Sequence, residues 1–155
     1  MTFRRLWIVL LALGVLPLLL TGLAPAFAWL TVGWVGLLIL LALTDWFLFP
    51  PLDALGVERL VDERLSFGAP NPVRLRVRNG TAVVLRLEMR DAPPEGMEND
   101  QPEPGFAFTV PALGRHLAVY HITPRARGRF AFGDVYLRVQ GRLGLVSRLL
   151  RLPLP

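Results

Sequence analysis

The sequence predicts a two-helix transmembrane hairpin followed by an antiparallel β-sandwich of immunoglobulin-like type. Three observations carry this. Residues 6–49 form two apolar blocks separated by the break Thr21-Gly22-Leu23-Ala24-Pro25. Beyond Pro50 the chain turns polar and Arg-rich, with apolar residues at every second position. Turn residues recur between these runs at the spacing of a small all-β domain, with no helical period among them. Residues 1–50 are therefore read as the membrane hairpin and 51–155 as the sandwich.

The first block runs from Leu6 to about Leu23 behind Arg4 and Arg5, and the second from about Trp29 to Phe49 with Asp45 as its one charge. A helix needs ~20 apolar residues to cross ~30 Å of hydrocarbon. In lipid each block must be helical, because unpaired backbone groups there are costly. Pro17 is expected to kink the first helix, and Pro25 falls in the turn. Trp7, Trp29, Trp34, Trp46, Phe47 and Phe49 sit mostly where interfacial aromatics belong. Asp45, within a turn of the second helix's end, is expected to be a solvated headgroup-level residue. The pair Arg4-Arg5 favours a cytoplasmic N-terminus, and two crossings return the chain to that side. The expected arrangement is a membrane hairpin with the β-domain on the cytoplasmic side. Arg4-Arg5, the apolar stretch and Ala26-Phe27-Ala28 also fit a cleaved secretory signal. The length of the apolar region, and a second span following at once, favour the anchored hairpin.

Pro50-Pro51 stops the second helix, since proline lacks an N–H and restricts its predecessor. Val73, Leu75 and Val77 then alternate with Arg74, Arg76 and Arg78, giving one apolar and one cationic face. Asn79-Gly80 predicts a two-residue hairpin into a strand over Val83–Arg90 with Leu85, Leu87 and Met89 inward. Ala92–Gly105 reads as a long exposed loop. Further strands are expected at Phe106–Val110, at His116–Ile122 with Leu117, Val119 and His121 on one face, at Arg129–Val139 as the longest, and at Leu145–Leu152. Short strands near Val57–Leu60 and Leu65 complete seven or eight.

With no cysteine, the chain has no disulfide, thiolate metal site or cysteine nucleophile, and the domain must hold by packing. All 17 basic residues are Arg, for a formal charge of +5, and such a surface suits anionic lipid or acidic protein. His116 and His121 lie five apart without a neighbouring ligand set, and no metal or other cofactor is expected. Ser66 and Ser147 lack an adjacent base, and no two carboxylates pair for acid–base work. Gly141-Arg142-Leu143-Gly144 is too short for a phosphate loop. An enzyme is therefore not expected. The one concentration of charge is Arg125, Arg127 and Arg129, a candidate contact for an anionic surface. Without aromatic stacking platforms beside it, no nucleic acid is expected.

The stretches Arg64–Asn79, Arg86–Gly96 and Thr123–Val139 carry R-x-R-G-R-F-x-F-G at 125–133, and an L-G-L step follows at 143–145. Together they resemble the bacterial family known as domain of unknown function 58, over essentially the whole chain. That resemblance implies an inner-membrane protein working with a MoxR-type AAA+ ATPase, its β-domain in the cytoplasm. Family members continue into a von Willebrand factor A-like domain, which is absent from these 155 residues, so no metal site carries over. The expectation is a membrane-anchored scaffold or protein-interaction module, with that ATPase and an A-like domain as partners. The competing expectation is an envelope-facing β-sandwich that binds polysaccharide or peptide.

Overall fold

The computed structural model describes residues 2–154, and the side chains of residues 2–6, Arg4 and Arg5 among them, lie outside the description. The chain divides into two units: residues 1–49 with 141–147, and residues 50–140 with 148–155.

In the first unit α1 (Thr2–Leu19) tightens into a 3₁₀ turn at Leu20–Gly22, and α2 (Ala26–Phe47) follows directly after Pro25. Pro17 lies inside α1. Ala26-Phe27-Ala28 forms the first turn of α2. The α2 helix is long and apolar enough to cross a membrane, and little of it is covered by protein. So little coverage leaves apolar side chains exposed along the helix. The apolar stretch of the first helix, Trp7–Gly22, is shorter, so among the described residues one helix rather than two meets the length criterion. The helices meet where Gly14 lets the Trp34 indole lie against α1. A Cβ at Gly14 would stand 2.6 Å from Trp34 Cδ1. The indole Nε1 donates to the Leu10 carbonyl at 2.9 Å.

Asp45 corrects the sequence expectation: it is not solvated but wholly buried. Its carboxylate accepts three backbone N–H groups from the loop 141–147, those of Leu143 (2.8 Å), Leu145 (2.8 Å) and Val146 (2.8 Å). Gly141 is required there, because a Cβ would lie 2.5 Å from Oδ2. Gly144 turns the loop at φ +72°. From the other helix, Trp7 Nε1 donates to the Leu145 carbonyl at 2.9 Å.

The second unit is a sandwich of two four-stranded sheets, both antiparallel where the register is defined. The strands are β1 (Leu55–Leu60), β2 (Asn71–Asn79), β3 (Leu85–Asp91), β4 (Glu98–Asn99), β5 (Phe106–Val110), β6 (Arg115–Thr123), β7 (Val135–Gln140) and β8 (Ser147–Leu152). One sheet runs β1-β2-β6-β4 and the other β5-β3-β7-β8. This is the A-B-E-D and C-F-G pairing of immunoglobulin-like sandwiches, with β5 added beside β3. Val73, Leu75 and Val77 of β2 face Leu87 and Met89 of β3 and Val135, Leu137 and Val139 of β7, all nearly or wholly inaccessible. Each such side chain contributes ~1.5–3 kcal/mol by leaving water.

Five expectations are corrected. Asn79-Gly80 is not a hairpin, because β2 and β3 belong to different sheets. The buried Asn79 amide instead donates to the carbonyls of Val83 (2.8 Å) and Pro111 (2.8 Å), while its Oδ1 accepts from the Thr81 N–H and hydroxyl. It thus builds the corner that carries the chain between sheets. On β6 the inward residues are Ala118, Tyr120 and Ile122, leaving Leu117 and Val119 exposed. A one-residue difference in register inverts every side chain of a strand. The expected long strand at Arg129–Val139 is only Val135–Gln140, and no strand forms at Leu65 among the described residues. Within Ala92–Gly105, Met97 is buried and Glu98–Asn99 pairs with Thr123 and Ile122 of β6.

A buried ionic cluster joins the sheets at one end. Arg59 of β1 grips Asp91 of β3 through Nη2–Oδ1 (2.5 Å) and Nε–Oδ2 (3.2 Å), with both side chains almost wholly inaccessible. Tyr120 of β6 donates its hydroxyl to Asp91 Oδ2 at 2.7 Å. The Ala92 N–H supplies another donor at 2.9 Å. Burial, together with the Asp91 hydrogen bond, pushes the Tyr120 hydroxyl far above its ordinary range, so it remains a donor. Arg59 also donates to the carbonyls of Gly133 (2.7 Å) and Leu154 (3.1 Å). Removing one member strands a buried charge. In chemical denaturation of the full chain, Asp91→Ala is expected to cost about 3–5 kcal/mol. Tyr120→Phe, which leaves the ion pair in place, is expected to cost about 1–3 kcal/mol. A larger loss from Tyr120→Phe than from Asp91→Ala would contradict this reading.

Candidate functional groove

The segment after β1 and the segment before β7 enclose a groove of about 780 Å³ on the sandwich unit. Val61, Leu65 and Phe67 contribute from one side, Phe130 and Phe132 from the other. The ionic cluster reaches the groove through one wall residue, since the Arg59 guanidinium carbon stands 4.5 Å from the Phe132 ring centroid. A cation over an aromatic face is held by the ring quadrupole, which pins Phe132. Phe67 is 59% exposed and Phe130 38%, large apolar faces left open beside a closed core.

The three predicted arginines divide. Arg125 forks onto Glu98 at 2.8 and 2.7 Å, so its charge is locally balanced. That pairing raises the Arg125 pKa above its ordinary value. Arg127 stands over Phe67, its guanidinium carbon 5.8 Å from the ring centroid. Arg127 and Arg129 both line the groove, together with Asp62 and Glu63. The site therefore presents aromatic faces and charges of both signs. The R-x-R-G-R-F-x-F-G run signals these residues in the sequence. Asp62, Glu63 and Phe67 carry no such signal and join only through the fold.

The two histidines lie apart from the groove. His116 stacks on Phe108 at a centroid distance of 4.1 Å. His121 Nδ1 lies 2.9 Å from Asp100 Oδ2, and the His121 N–H donates to Asp100 Oδ1 at 2.5 Å. Among the described residues, no three His, Cys, Asp or Glu side chains cluster at metal-binding distance. Ser66 donates its N–H to the Asn71 side chain, part of a turn.

The His121 backbone N–H holds the Asp100 carboxyl below its ordinary value of 3.8, with the His121 ring adding to the effect. A carboxyl depressed in the folded state stabilises above its unfolded pKa, and the contribution is lost as pH falls through the folded value. The Asp100 carbon shift is therefore expected to titrate with a midpoint below 3.8 by NMR. The His121 amide should keep its exchange protection down to that midpoint, whereas a midpoint above the ordinary value would contradict the contact.

No protein-family model and no curated protein sequence matches the chain. Among solved structures it is similar to the ASH / PapD-like domain of human CEP192 (PapD-like domain 7), with a TM-score of 0.47 at 15% identity over 68% of this chain and 84% of that one. It is also similar to a FixG-related protein from Vibrio parahaemolyticus, with a TM-score of 0.40 at 10% identity over 64% of this chain and 93% of that one.

Proposed function

We propose that this chain is a membrane-anchored protein-interaction module whose sandwich receives a partner polypeptide in the Phe67–Phe130–Phe132 groove. The observation that carries the reading is the groove's exposed aromatic and Arg lining on a domain whose core is otherwise closed. Aromatic residues and Arg are the types that dominate binding energy at protein interfaces. Arg127 and Arg129 are the proposed contacts for carboxylates of the partner, and Asp62 and Glu63 for its cations. Both helices cross the membrane in this reading. The protein-poor surface of α2 supports it, and the shorter apolar stretch Trp7–Gly22, which includes the turn Leu20–Gly22, is the other crossing.

The resemblance to the domain-of-unknown-function 58 family nominates a MoxR-type AAA+ ATPase as the partner, with a von Willebrand factor A-like domain in cis or in trans. The same reading puts the N-terminus and sandwich on the cytoplasmic side of the inner membrane, supported by Arg4 and Arg5 ahead of the first apolar stretch. A reporter active only in the periplasm, fused at Pro155, is expected to stay silent, and strong activity would reverse the orientation. The full chain is expected to co-purify with a MoxR-type ATPase from native membranes in mild detergent. Phe130→Ala should weaken that association by about 2 kcal/mol, the scale of an interface hot spot, at unchanged protein level. Repeated failure of the unaltered chain to recover the ATPase would remove this partner.

A further inference from the structure

The loop 141–147 belongs with the helices, and its composition is unusual for a turn between strands. Leu143, Leu145 and Val146 are apolar, with Arg142 preceding them. Irregular backbone is excluded from the hydrocarbon boundary unless its N–H groups are satisfied internally. Asp45 supplies that satisfaction, taking three loop N–H groups on one carboxylate. Asp45 stands two residues before the end of α2, ~3 Å along the helix axis from its last residue. The loop backbone bonded to it therefore lies at the level where the apolar span ends. Trp46 of α2 is 52% exposed and Phe47 80%, at the position of interfacial aromatics. Trp7, which donates to the Leu145 carbonyl, puts the start of the apolar stretch Trp7–Gly22 at the same level.

The loop also touches the apolar flank of the hairpin. Val146 closes a wholly apolar hollow of about 370 Å³ together with Trp7, Leu11, Leu38 and Trp46. Leu143 is 45% exposed, and Arg142 beside it is exposed. A projecting leucine next to an arginine suits the boundary between acyl chains and anionic headgroups, where Arg attracts phosphate and Leu leaves water.

We infer that Leu143–Val146 is a third membrane-contacting element, seated in the headgroup–acyl boundary by Asp45 as its positioning residue. The inference rests on the membrane reading of the hairpin, and the test separates the two. Because the chain has no cysteine, single labels can be placed in an otherwise unaltered full chain. Spin labels at Leu143→Cys and, on the outward face of α2, at Leu40→Cys are compared after reconstitution into phosphatidylglycerol-containing vesicles. Depth is read from accessibility to oxygen and to a water-soluble nickel chelate.

The expected result is a deep Leu40 label and a Leu143 label at the boundary, partly shielded from nickel. A deep Leu40 label with a fully nickel-accessible Leu143 label overturns the inference and leaves the membrane reading standing. A nickel-accessible Leu40 label removes the membrane reading and this inference with it. Adding Asp45→Asn, which withdraws the charge and one acceptor oxygen, should raise nickel accessibility at Leu143 several-fold while Leu40 is unchanged. No rise at Leu143 would overturn the role given to Asp45. The Leu143 label in the chain with Asp45 intact still decides the loop's location should the double variant fail to fold.

Discussion

The sandwich depends on the Asp91 carboxylate being buried and fully satisfied. A lone carboxylate in that position would be driven out or protonated, so the fold must bring donors to it. It does so from both layers: Arg59 and Tyr120 reach across from the sheet β1-β2-β6-β4, and the Ala92 N–H comes from the end of β3 itself. The register of β6 follows from this. With Tyr120 inward its hydroxyl meets Asp91, and Leu117 and Val119 are turned to the surface. Arg59 extends the same constraint to the groove by stacking under Phe132 and binding the Gly133 carbonyl.

The helical unit repeats this logic with a different donor set. Asp45 accepts three peptide N–H groups of one short loop. Gly141 is demanded by the carboxylate's close approach and Gly144 by the turn's positive φ. In both units a buried acid therefore organises irregular backbone. The acid holds in place the segment that carries the proposed function, the groove wall in one case and the lipid-facing loop in the other.

The alternation in β2, β3 and β7 was legible because each strand has one face buried and one wet, so period two survives in the residues themselves. The Arg-rich run before β7 was legible as a candidate surface for the same reason that it is exposed. Its division into a neutralised Arg125 and a groove-lining Arg127 and Arg129 was not, because Glu98 arrives from a segment that reads as loop. Asn79-Gly80 misled because the dipeptide is compatible with a hairpin. The partners that make it a corner, the Val83 and Pro111 carbonyls, come partly from thirty residues downstream.

By itself the sequence determined the order of the parts: an apolar helical segment, then an all-β domain held without disulfides. Both follow from local periodicity and composition, which every residue carries with it. Only the tertiary structure decided which face of β6 is buried, which sheet follows Asn79, and that Asp45 is a buried anchor for the 141–147 loop. Each of these turns on whether a polar atom finds its partner across a long separation, and hydrophobic pattern holds no record of that.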